Sequence, residues 1–234
     1  MVKLSIHCLF ALAQGDHCGN LRQNEPITRG PYLQALLGTS VEVHWRSKEP
    51  VRGKVECRLP GGAVRAAEEE APDTVHRLKL EGLLPGAGHE YWLLHDGVRV
   101  TDPAFRFRTS PAAGEGPIRA VAIGDSGSGG PNQAAVAELI GALAPDILLH
   151  TGDLDYTANP DCSIFEPYLK LLPSMGFFPA RGNHDLDLDW GDLFRPPNPG
   201  GPDRTYFSYD WGNAHFVALD TEIPFTLGSD QRTW

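Results

Sequence analysis

Three short polar motifs in the second half of the chain place carboxylate and carboxamide side chains directly after a glycine. They are Gly124-Asp-Ser-Gly127, Gly152-Asp-Leu-Asp-Tyr156 and Gly182-Asn-His-Asp185. Two carboxylates and a carboxamide that converged in a fold would repel one another and lose hydration unless cations lay among them. Because oxygen donors of this kind suit hard or borderline metal ions, the motifs predict a site for a pair of metal ions.

The spacing of the motifs is that of a repeating strand–helix–strand unit. Asp125 and Asp153 are 28 residues apart, and Asp153 and Asn183 are 30 apart. Three adjacent parallel strands would therefore deliver all three side chains to one edge of a sheet. The glycine before each of them would let the backbone turn sharply, so that the next side chain points into a cleft.

The segments around the motifs have the pattern of an α/β layered domain. Apolar strands are predicted at 118–123, 146–150 and 177–180, with further strands at 206–209 and 215–219. Helices are predicted at 131–143 and around 164–172, where apolar residues recur at helical spacing. In such layered sheets, ligands collect beyond the carboxyl ends of the strands, which is where the three motifs stand.

The first half of the chain has a different period. Apolar residues alternate with polar ones at 41–45, 55–59, 78–80, 91–93 and 105–107, with turn residues between these segments. This pattern predicts an antiparallel β-sandwich. The segment 80–91 resembles the corner of a fibronectin type III module, with His89 at the position of the usual tyrosine. The expected division is 25–110 for the sandwich, 111–117 for a linker and 118–234 for the layered domain.

Composition limits the classes of partner. The 234 residues are 41% hydrophobic and carry a formal net charge of −10, which disfavours the phosphate backbone of a nucleic acid as the main partner. No run approaches the ~20 apolar residues of a membrane span, so no membrane partner is expected. Lys3, the apolar segment 4–12 and the small residues 11–13 predict a signal peptide within 1–24, hence a secreted or periplasmic protein. The four cysteines are scattered, which disfavours a structural zinc site and leaves disulfide pairing open.

The ordered set of motifs resembles that of the metallophosphoesterases of the calcineurin-like superfamily, in the variant carried by purple acid phosphatases. Two positions define the variant. Gly127 stands where most of these enzymes have a metal-binding histidine, and Tyr156 follows Asp153 by three residues. The segment 29–34 in front of a fibronectin-like module, and the segment 207–222, are also similar to that subgroup. The resemblance extends from about Pro26 to the end of the chain.

The resemblance implies an acid phosphatase that hydrolyses small phosphate monoesters at a binuclear centre of Fe(III) and a divalent metal (Fe, Zn or Mn). Asp125 and Tyr156 would bind the iron, Asp153 would bridge both metals, and Asn183 would bind the divalent metal. His184 would face the substrate phosphate and assist the leaving oxygen. The ions would lower the pKa of a bound water and clamp the phosphate for in-line attack.

Part of the family pattern is missing from this sequence. Three further histidines, from a V-x-x-H-like segment after the three motifs and from a G-H-x-H motif, have no counterpart. The chain ends at Trp234, and Ser229 resembles the cap of a helix that is just beginning. The expectation is a C-terminally truncated chain with half of the site, and with an exposed apolar face or edge on its sheet.

Other interpretations stay open. The chain could be an inactive remnant that acts at most as a binding module, or, less favoured, a serine esterase with Ser126 as nucleophile. Taken singly, the motif Asp and Asn residues could be turn or cap residues, Tyr156 a packed aromatic and His184 a surface histidine. His150 and His215 are interpreted as structural, with His215 in the core, and Glu68–Glu70 as a solvated loop. The substrate, the second metal and the oligomeric state are not predicted.

Overall fold

The computed structural model describes residues 25–234 and the backbone of one earlier strand, β1 (Cys8–Phe10). The predicted signal peptide otherwise lies outside the described residues. Among the helices that the structure describes, none is long and apolar enough to cross a membrane.

The first half of the described chain is a sandwich of two antiparallel layers. Its strands are β2 (Ile27–Gln34), β3 (Ser40–Val51), β4 (Gly53–Arg58), β5 (Val64–Glu68), β6 (Asp73–Glu81), β7 (Gly88–His95), β8 (Val98–Arg99) and β9 (Phe105–Arg108). One layer contains β2, β3 and β6, and the other contains β5, β4 and β7, with β8 and β9 both paired to β7. Val43 and Trp45 from the first layer and Val55, Cys57 and Leu93 from the second are fully buried. Their alternation along the strands is what the sequence pattern predicted.

The corner of the sandwich is closed by His89 instead of a tyrosine. His89 Nε2 lies 3.2 Å from the carbonyl oxygen of Leu84. Burial lowers the pKa of His89, so the neutral ring donates this hydrogen bond.

Polar residues inside the sandwich have specific partners. Glu69 is wrongly predicted as solvated: its carboxylate lies 2.7 Å from His76 Nδ1 and accepts the N–H of Gly53 at 3.0 Å. The other ring nitrogen of His76 lies 2.9 Å from the hydroxyl of Ser47. These contacts form because strand pairing brings together residues that are separated in the sequence. The run of three glutamates alone does not show them.

The second half contains short strands and few helices. They are β10 (Ala120–Gly124), α1 (Pro131–Leu143), β11 (Ile147–His150), β12 (Gly176–Pro179), α2 (Trp190–Leu193), β13 (Pro199–Gly200), β14 (Tyr206–Trp211), β15 (Ala214–Ala218) and α3 (Asp230–Thr233). The predicted first helix has the bounds of α1. The predicted second helix is instead a π-helical turn at Asp161–Phe165 followed by hydrogen-bonded turns. Pro167 lacks the N–H that would continue an α-helical ladder.

One seven-stranded sheet runs through both halves, in the order β1-β10-β11-β12-β2-β3-β6. The pairings from β1 to β2 are parallel, and the last two are antiparallel. β12 meets β2 through the pair Gly176 and Leu33. The sheet therefore crosses the division proposed at 111–117, which stays a prediction. The carboxyl ends of β10, β11 and β12 are level, because Ile123 pairs with His150 and His150 with Pro179.

The last strands form a separate three-stranded sheet, β13-β14-β15. The outer face of β15 exposes Val217, as an apolar edge would, and Phe225 and Leu227 beyond it are also exposed. His215 lies on the same outer face, where it pairs with Asp210 at 2.7 Å. The prediction of a core histidine is therefore wrong, because the alternation of β15 turns His215 to the solvent side.

Candidate metal centre

The three motifs lie together at the carboxyl edge of β10, β11 and β12. Asp125 follows β10 directly, Asp153 lies three residues after β11, and Asn183 begins a 3₁₀ turn (Asn183–Asp185) after β12. The first two loops are joined by hydrogen bonds from Asp125 N to Gly152 O at 3.1 Å and from Tyr156 N to Gly127 O at 2.9 Å. The parallel strands that the motif spacing predicted are therefore adjacent, and their loops are in contact.

Tyr156 brings the two carboxylates into one group. Its phenolic O–H donates to Asp153 Oδ2 at 2.9 Å and to Asp125 Oδ1 at 3.1 Å. Tyr156 is 38% exposed, so solvent reaches this group of side chains. The phenolic oxygen thus lies within hydrogen-bond distance of one carboxylate oxygen of Asp125 and one of Asp153.

The other two predicted residues lie in the neighbouring turn. The backbone N–H of His184 donates to Asp153 Oδ1 at 3.0 Å, and the rings of His184 and Tyr156 are 4.6 Å apart. Asn183 is exposed in the same turn. Within residues 25–234, no hydrogen bond joins the Asn183 side chain to the other four. The structure brings four of the five together and leaves Asn183 beside them.

Both carboxylate residues have an uncommon backbone conformation. The φ angle is +52° at Asp125 and +59° at Asp153, in the left-handed region. Residues other than glycine rarely adopt it, and such strain concentrates at functional sites. Aspartate tolerates this conformation better than most residues other than glycine do, and both loops use it at the motif carboxylate.

The glycines of the motifs serve close packing more than turning. Only Gly152, at φ +115°, needs the conformational freedom that the sequence suggested. A Cβ at Gly152 would lie 2.8 Å from the Cα of Gly182. A Cβ at Gly182 would overlap Asp153, and one at Gly124 would overlap the hydroxyl of Thr151. The loops approach so closely that only glycine fits at their contact points.

The structure explains why Gly127 and Tyr156, the two positions that define the sequence variant, occur together. A Cβ at this position would overlap the backbone of Leu154 and Asp155. These two residues lead directly to Tyr156, whose N–H bonds to the Gly127 carbonyl. A histidine at position 127 is therefore incompatible with the loop path that delivers Tyr156.

Asp185 organises the site and was not singled out by the sequence. Its fully buried carboxylate accepts four backbone N–H groups at 2.7–3.1 Å. The donors are Asp153, Leu154, Asp155 and Gly182. Burial raises the pKa of Asp185, and the four N–H groups act in the opposite direction. The signal in the sequence is the last residue of Gly-Asn-His-Asp, but its partners become clear only when the loops meet.

A second buried carboxylate supports the same turn from the other side. Asp220 is fully buried and lies 2.7 Å from the guanidinium of Arg181. Gln231 holds the backbone of Asp220 through two hydrogen bonds, at 2.7 and 2.8 Å. Arg181 directly precedes Gly182, so the end of the described chain braces the turn that carries His184.

Ser126 and His150 form a buried structural pair. The Ser126 hydroxyl is 2.7 Å from His150 Nε2 and accepts the O–H of Tyr168 at 2.8 Å. His150 Nδ1 accepts the N–H of Gly152, which assigns the ring proton to Nε2. Burial lowers the pKa of His150 to about 3. A ring that donates to the serine cannot take its proton, and Ser126 is only 2% exposed, so the geometry gives the serine esterase interpretation no support.

The oxygen donors fit a hard cation. Burial raises the pKa of Tyr156, and the hydrogen bonds to Asp153 and Asp125 raise it further. These two carboxylates share the single phenolic proton, and a cation of higher charge among the same oxygens would neutralise them more fully. The nitrogen donors implied by the resemblance are not supplied here: within 25–234, no three His, Cys, Asp or Glu side chains gather as a metal site.

A cavity of about 590 Å³ opens beside Tyr156 and His184. Its wall also contains Arg29 and Arg46 from the sandwich, and Asp187 and Asp192 from the segment after the 3₁₀ turn. The cavity is large enough for a small ligand and is shared between the two halves of the chain.

Comparison with known proteins shows what the chain is similar to. Residues 118–230 match the family model of the calcineurin-like phosphoesterases. Acid phosphatase type 7 of Homo sapiens is 27% identical over 210 residues, which cover 80% of this chain and 47% of that protein. Purple acid phosphatase 15 of Arabidopsis thaliana is 24% identical over 198 residues, which cover 68% of this chain and 37% of that protein.

The fold has a counterpart among solved structures. A purple acid phosphatase from yellow lupin (Lupinus luteus) seeds superposes with a TM-score of 0.70 at 18% identity, over 88% of this chain and 48% of that one. The predicted fold class, a β-sandwich followed by an α/β layered domain, is thereby confirmed. The chain spans about half the length, or less, of the relatives it matches.

Proposed function

We propose that this protein hydrolyses phosphate monoesters at the Asp125–Asp153–Tyr156 site. Residues 118–230 match the family model of the calcineurin-like phosphoesterases, and a purple acid phosphatase is among the proteins similar to this chain. The observation that carries the proposal is the hydroxyl of Tyr156, which lies 2.9 and 3.1 Å from the two carboxylates. Packing of an aromatic ring does not require its hydroxyl to lie beside two carboxylates. Binding of a hard ion by the phenolic oxygen does require it.

The residues divide between two metal positions. Asp125 and Tyr156 would bind Fe(III), Asp153 would bridge, and Asn183 would bind a divalent ion of iron, zinc or manganese. When bound, such an ion pair lowers the pKa of a coordinated water and neutralises the substrate phosphate. The positive φ angles of Asp125 and Asp153 and the bonds to Asp185 support a preorganised set of donors.

The chain's own residues provide orientation and proton transfer. His184 is exposed beside the cavity, and its backbone is tied to Asp153 at 3.0 Å. These observations support a role for its imidazole in protonating the leaving oxygen of a phosphate ester. The Arg181–Asp220 pair keeps this turn in register with the carboxylates.

The expected substrate is a small phosphorylated molecule. The net charge of −10 and the cavity of about 590 Å³ support a small ligand over a nucleic acid. The predicted signal peptide supports export to the periplasm or the outside of the cell.

The proposal is tested by metal content. The chain is incubated with Fe(III) and Zn²⁺, dialysed and analysed by mass spectrometry, together with Asp153→Ala, Tyr156→Phe and the control Asp210→Ala. Asp210 is 78% exposed and pairs with His215, away from the motifs. We expect bound metal in the wild type and the control, a loss in Asp153→Ala, and in Tyr156→Phe a loss of the visible absorption of an iron–phenolate bond. Equal metal content and colour in all four proteins would overturn the proposal.

A second candidate is a binding module without catalysis, favoured by the finding that no three His, Cys, Asp or Glu side chains within 25–234 gather as a metal site. Hydrolysis of p-nitrophenyl phosphate by the metal-loaded chain distinguishes the two. Activity that disappears in His184→Ala supports the hydrolase. Metal binding without turnover supports the module.

A further inference from the structure

The wall of the cavity beside Tyr156 and His184 carries more negative charge than its own cations neutralise. Its other charged residues are two arginines and four aspartates, namely Arg29, Arg46, Asp155, Asp187, Asp189 and Asp192. Arg29 binds Asp161 at 2.8 Å, and Asp161 is not a residue of the wall. Arg46 pairs with Asp192 at 3.8 Å, and Arg77 binds the same carboxylate. Both arginines of the wall are therefore already neutralised, and so is Asp192.

Asp155 is a buried member of the remaining negative charge. It is 5% exposed, and its Oδ1 accepts the N–H and the O–H of Thr157 at 2.7 and 2.8 Å. Its Oδ2 is buried and has no hydrogen-bond partner within residues 25–234. A carboxylate oxygen that is buried without a partner is costly, so Asp155 favours a positive group in the adjacent cavity.

Asp187 and Asp189 add two exposed carboxylates to the same wall. Asp189 Oδ1 accepts the N–H of Asp192 at 3.2 Å as the N-cap of α2, and neither side chain pairs with a cation in the described part of the chain. The two residues follow His184 by three and five positions. Because His184 is the proposed proton donor to the leaving oxygen, the alcohol portion of a substrate would lie on their side of the cavity.

These carboxylates suit an organic cation better than a further metal ion. Among residues 25–234, no three His, Cys, Asp or Glu side chains gather closely enough to hold a metal ion. An ammonium group does not need so compact a set of ligands, since it donates up to three hydrogen bonds and is attracted by carboxylates at longer range as well. A cleft whose wall carries charge of one sign concentrates ligands of the opposite sign.

We propose that the carboxylates of Asp155, Asp187 and Asp189 select phosphate monoesters whose alcohol portion carries an ammonium group. This inference rests on the proposed function. The scissile phosphate would lie at Tyr156 and His184, and the ammonium group would lie toward the two exposed carboxylates. The buried carboxylate of Asp155 would add its field from the wall.

The test compares 2-aminoethyl phosphate with n-propyl phosphate, in which a methyl group replaces the ammonium group. Release of inorganic phosphate by the Fe(III)- and Zn²⁺-loaded chain gives kcat/KM for each ester at constant ionic strength. We expect kcat/KM to be at least about 5-fold higher for the aminoethyl ester, the factor that one favourable exposed ion pair supplies. Added salt should reduce this preference, because ions screen the attraction.

Variants of the exposed carboxylates isolate their role, because comparison between proteins cancels the difference in intrinsic reactivity of the two esters. Asp187→Asn should lower the ratio of the two kcat/KM values about 3-fold, and the double variant Asp187→Asn, Asp189→Asn about 5-fold. Asparagine at position 189 retains the cap of α2. Asp187→Glu retains the charge and should keep most of the preference.

The matched control is Asp210→Asn, which makes the same change of charge at a carboxylate that is 78% exposed and is not part of the cavity wall. It should leave the ratio unchanged. Thermal unfolding midpoints establish that each variant is folded.

The outcomes separate the inference from the proposed function. An unchanged ratio in the folded double variant, or an equal fall in Asp210→Asn, overturns the role of the carboxylates while the proposed function stands. Failure of the folded, metal-loaded wild type to hydrolyse either ester overturns the proposed function itself, and the inference with it.

Discussion

At the scale of single residues, the candidate site depends on a carboxylate that need not touch the substrate. Asp185 accepts four N–H groups from two loops, and bonds to a charged acceptor are about twice as strong as neutral ones. These bonds fix the backbone on both sides of Asp153 and at Gly182. Asp185 is thus a positioning residue for Asp153 and for the turn that begins at Gly182.

The substitution Asp185→Asn should therefore destabilise the protein. The carboxamide offers one acceptor oxygen in place of two and turns an NH₂ group toward backbone donors. We expect a loss of about 2–4 kcal/mol in the free energy of unfolding by urea, because buried donors lose their partner. The matched control Asp187→Asn, two residues away and exposed, should change stability by no more than about 0.5 kcal/mol. Equal stability of the two variants would contradict the role given to Asp185.

At the scale of elements, the geometry of the site is set by loops in contact rather than by long helices. The three parallel strands are only four or five residues long. Their ends are level, and the loops beyond them pack backbone against backbone at Gly152 and Gly182. A side chain at such a contact has no space to occupy.

Gly182→Ala tests this packing. The added methyl group would overlap the backbone nitrogen and carboxylate of Asp153, so we expect a loss of about 1–3 kcal/mol from overpacking and weaker metal binding. Gly191→Ala is the control, because a Cβ there meets nothing within 4 Å and α2 continues through the position. It should be neutral or slightly stabilising. A stable Gly182→Ala variant with full metal content would show that the loops are not in close contact.

At the scale of the whole molecule, the two halves share a sheet and a core. Tyr91 of the sandwich donates to Pro173 O at 3.0 Å, and Tyr32 donates to Leu193 O at 3.0 Å. Gln34 accepts the N–H of Arg195 at 2.9 Å. One hydrophobic cluster contains residues from β3, β7, β12 and β14. Unfolding of either half would expose the surface of the other.

We accordingly expect one cooperative thermal transition. Differential scanning calorimetry should give a calorimetric enthalpy equal to the van't Hoff enthalpy for the whole chain. Two separate transitions, one for each half, would contradict this expectation.

Stability should also fall as the pH decreases below about 6.5. Burial lowers the pKa of His44, His89, His95 and His150, the last to about 3. Below this pH the unfolded chain binds protons that the folded chain excludes. The free energy of unfolding therefore decreases as the pH falls from the ordinary histidine pKa toward the lower pKa of the folded chain. We expect His150 alone to contribute about 1 kcal/mol to the difference in unfolding free energy between pH 7.5 and 5.5. His150→Gln should reduce that difference by this amount, and an unchanged pH dependence would contradict the assignment.

The local pattern of the sequence was sufficient to predict the strands and one helix. Alternating and apolar runs indicated the sandwich and the strands before each motif, and α1 has the predicted bounds, because hydrophobic period and a proline at the start are local properties. The second predicted helix failed, since Pro167 interrupts its ladder although the apolar spacing continues. His215 and Glu69 were also assigned wrongly, because solvent exposure depends on which strand or loop covers a residue.

By itself, the sequence determined the polar motifs, their order and their spacing, and hence the strand ends at which donors could meet. Only the tertiary structure decided which atoms approach one another. It placed the hydroxyl of Tyr156 between two carboxylates and buried Asp185 among four N–H groups. Strand formation follows from neighbours along the chain. In contrast, Tyr156 meets Asp125 across 31 positions of the sequence and Asp185 meets Asp153 across 32, and packing alone brings such residues together.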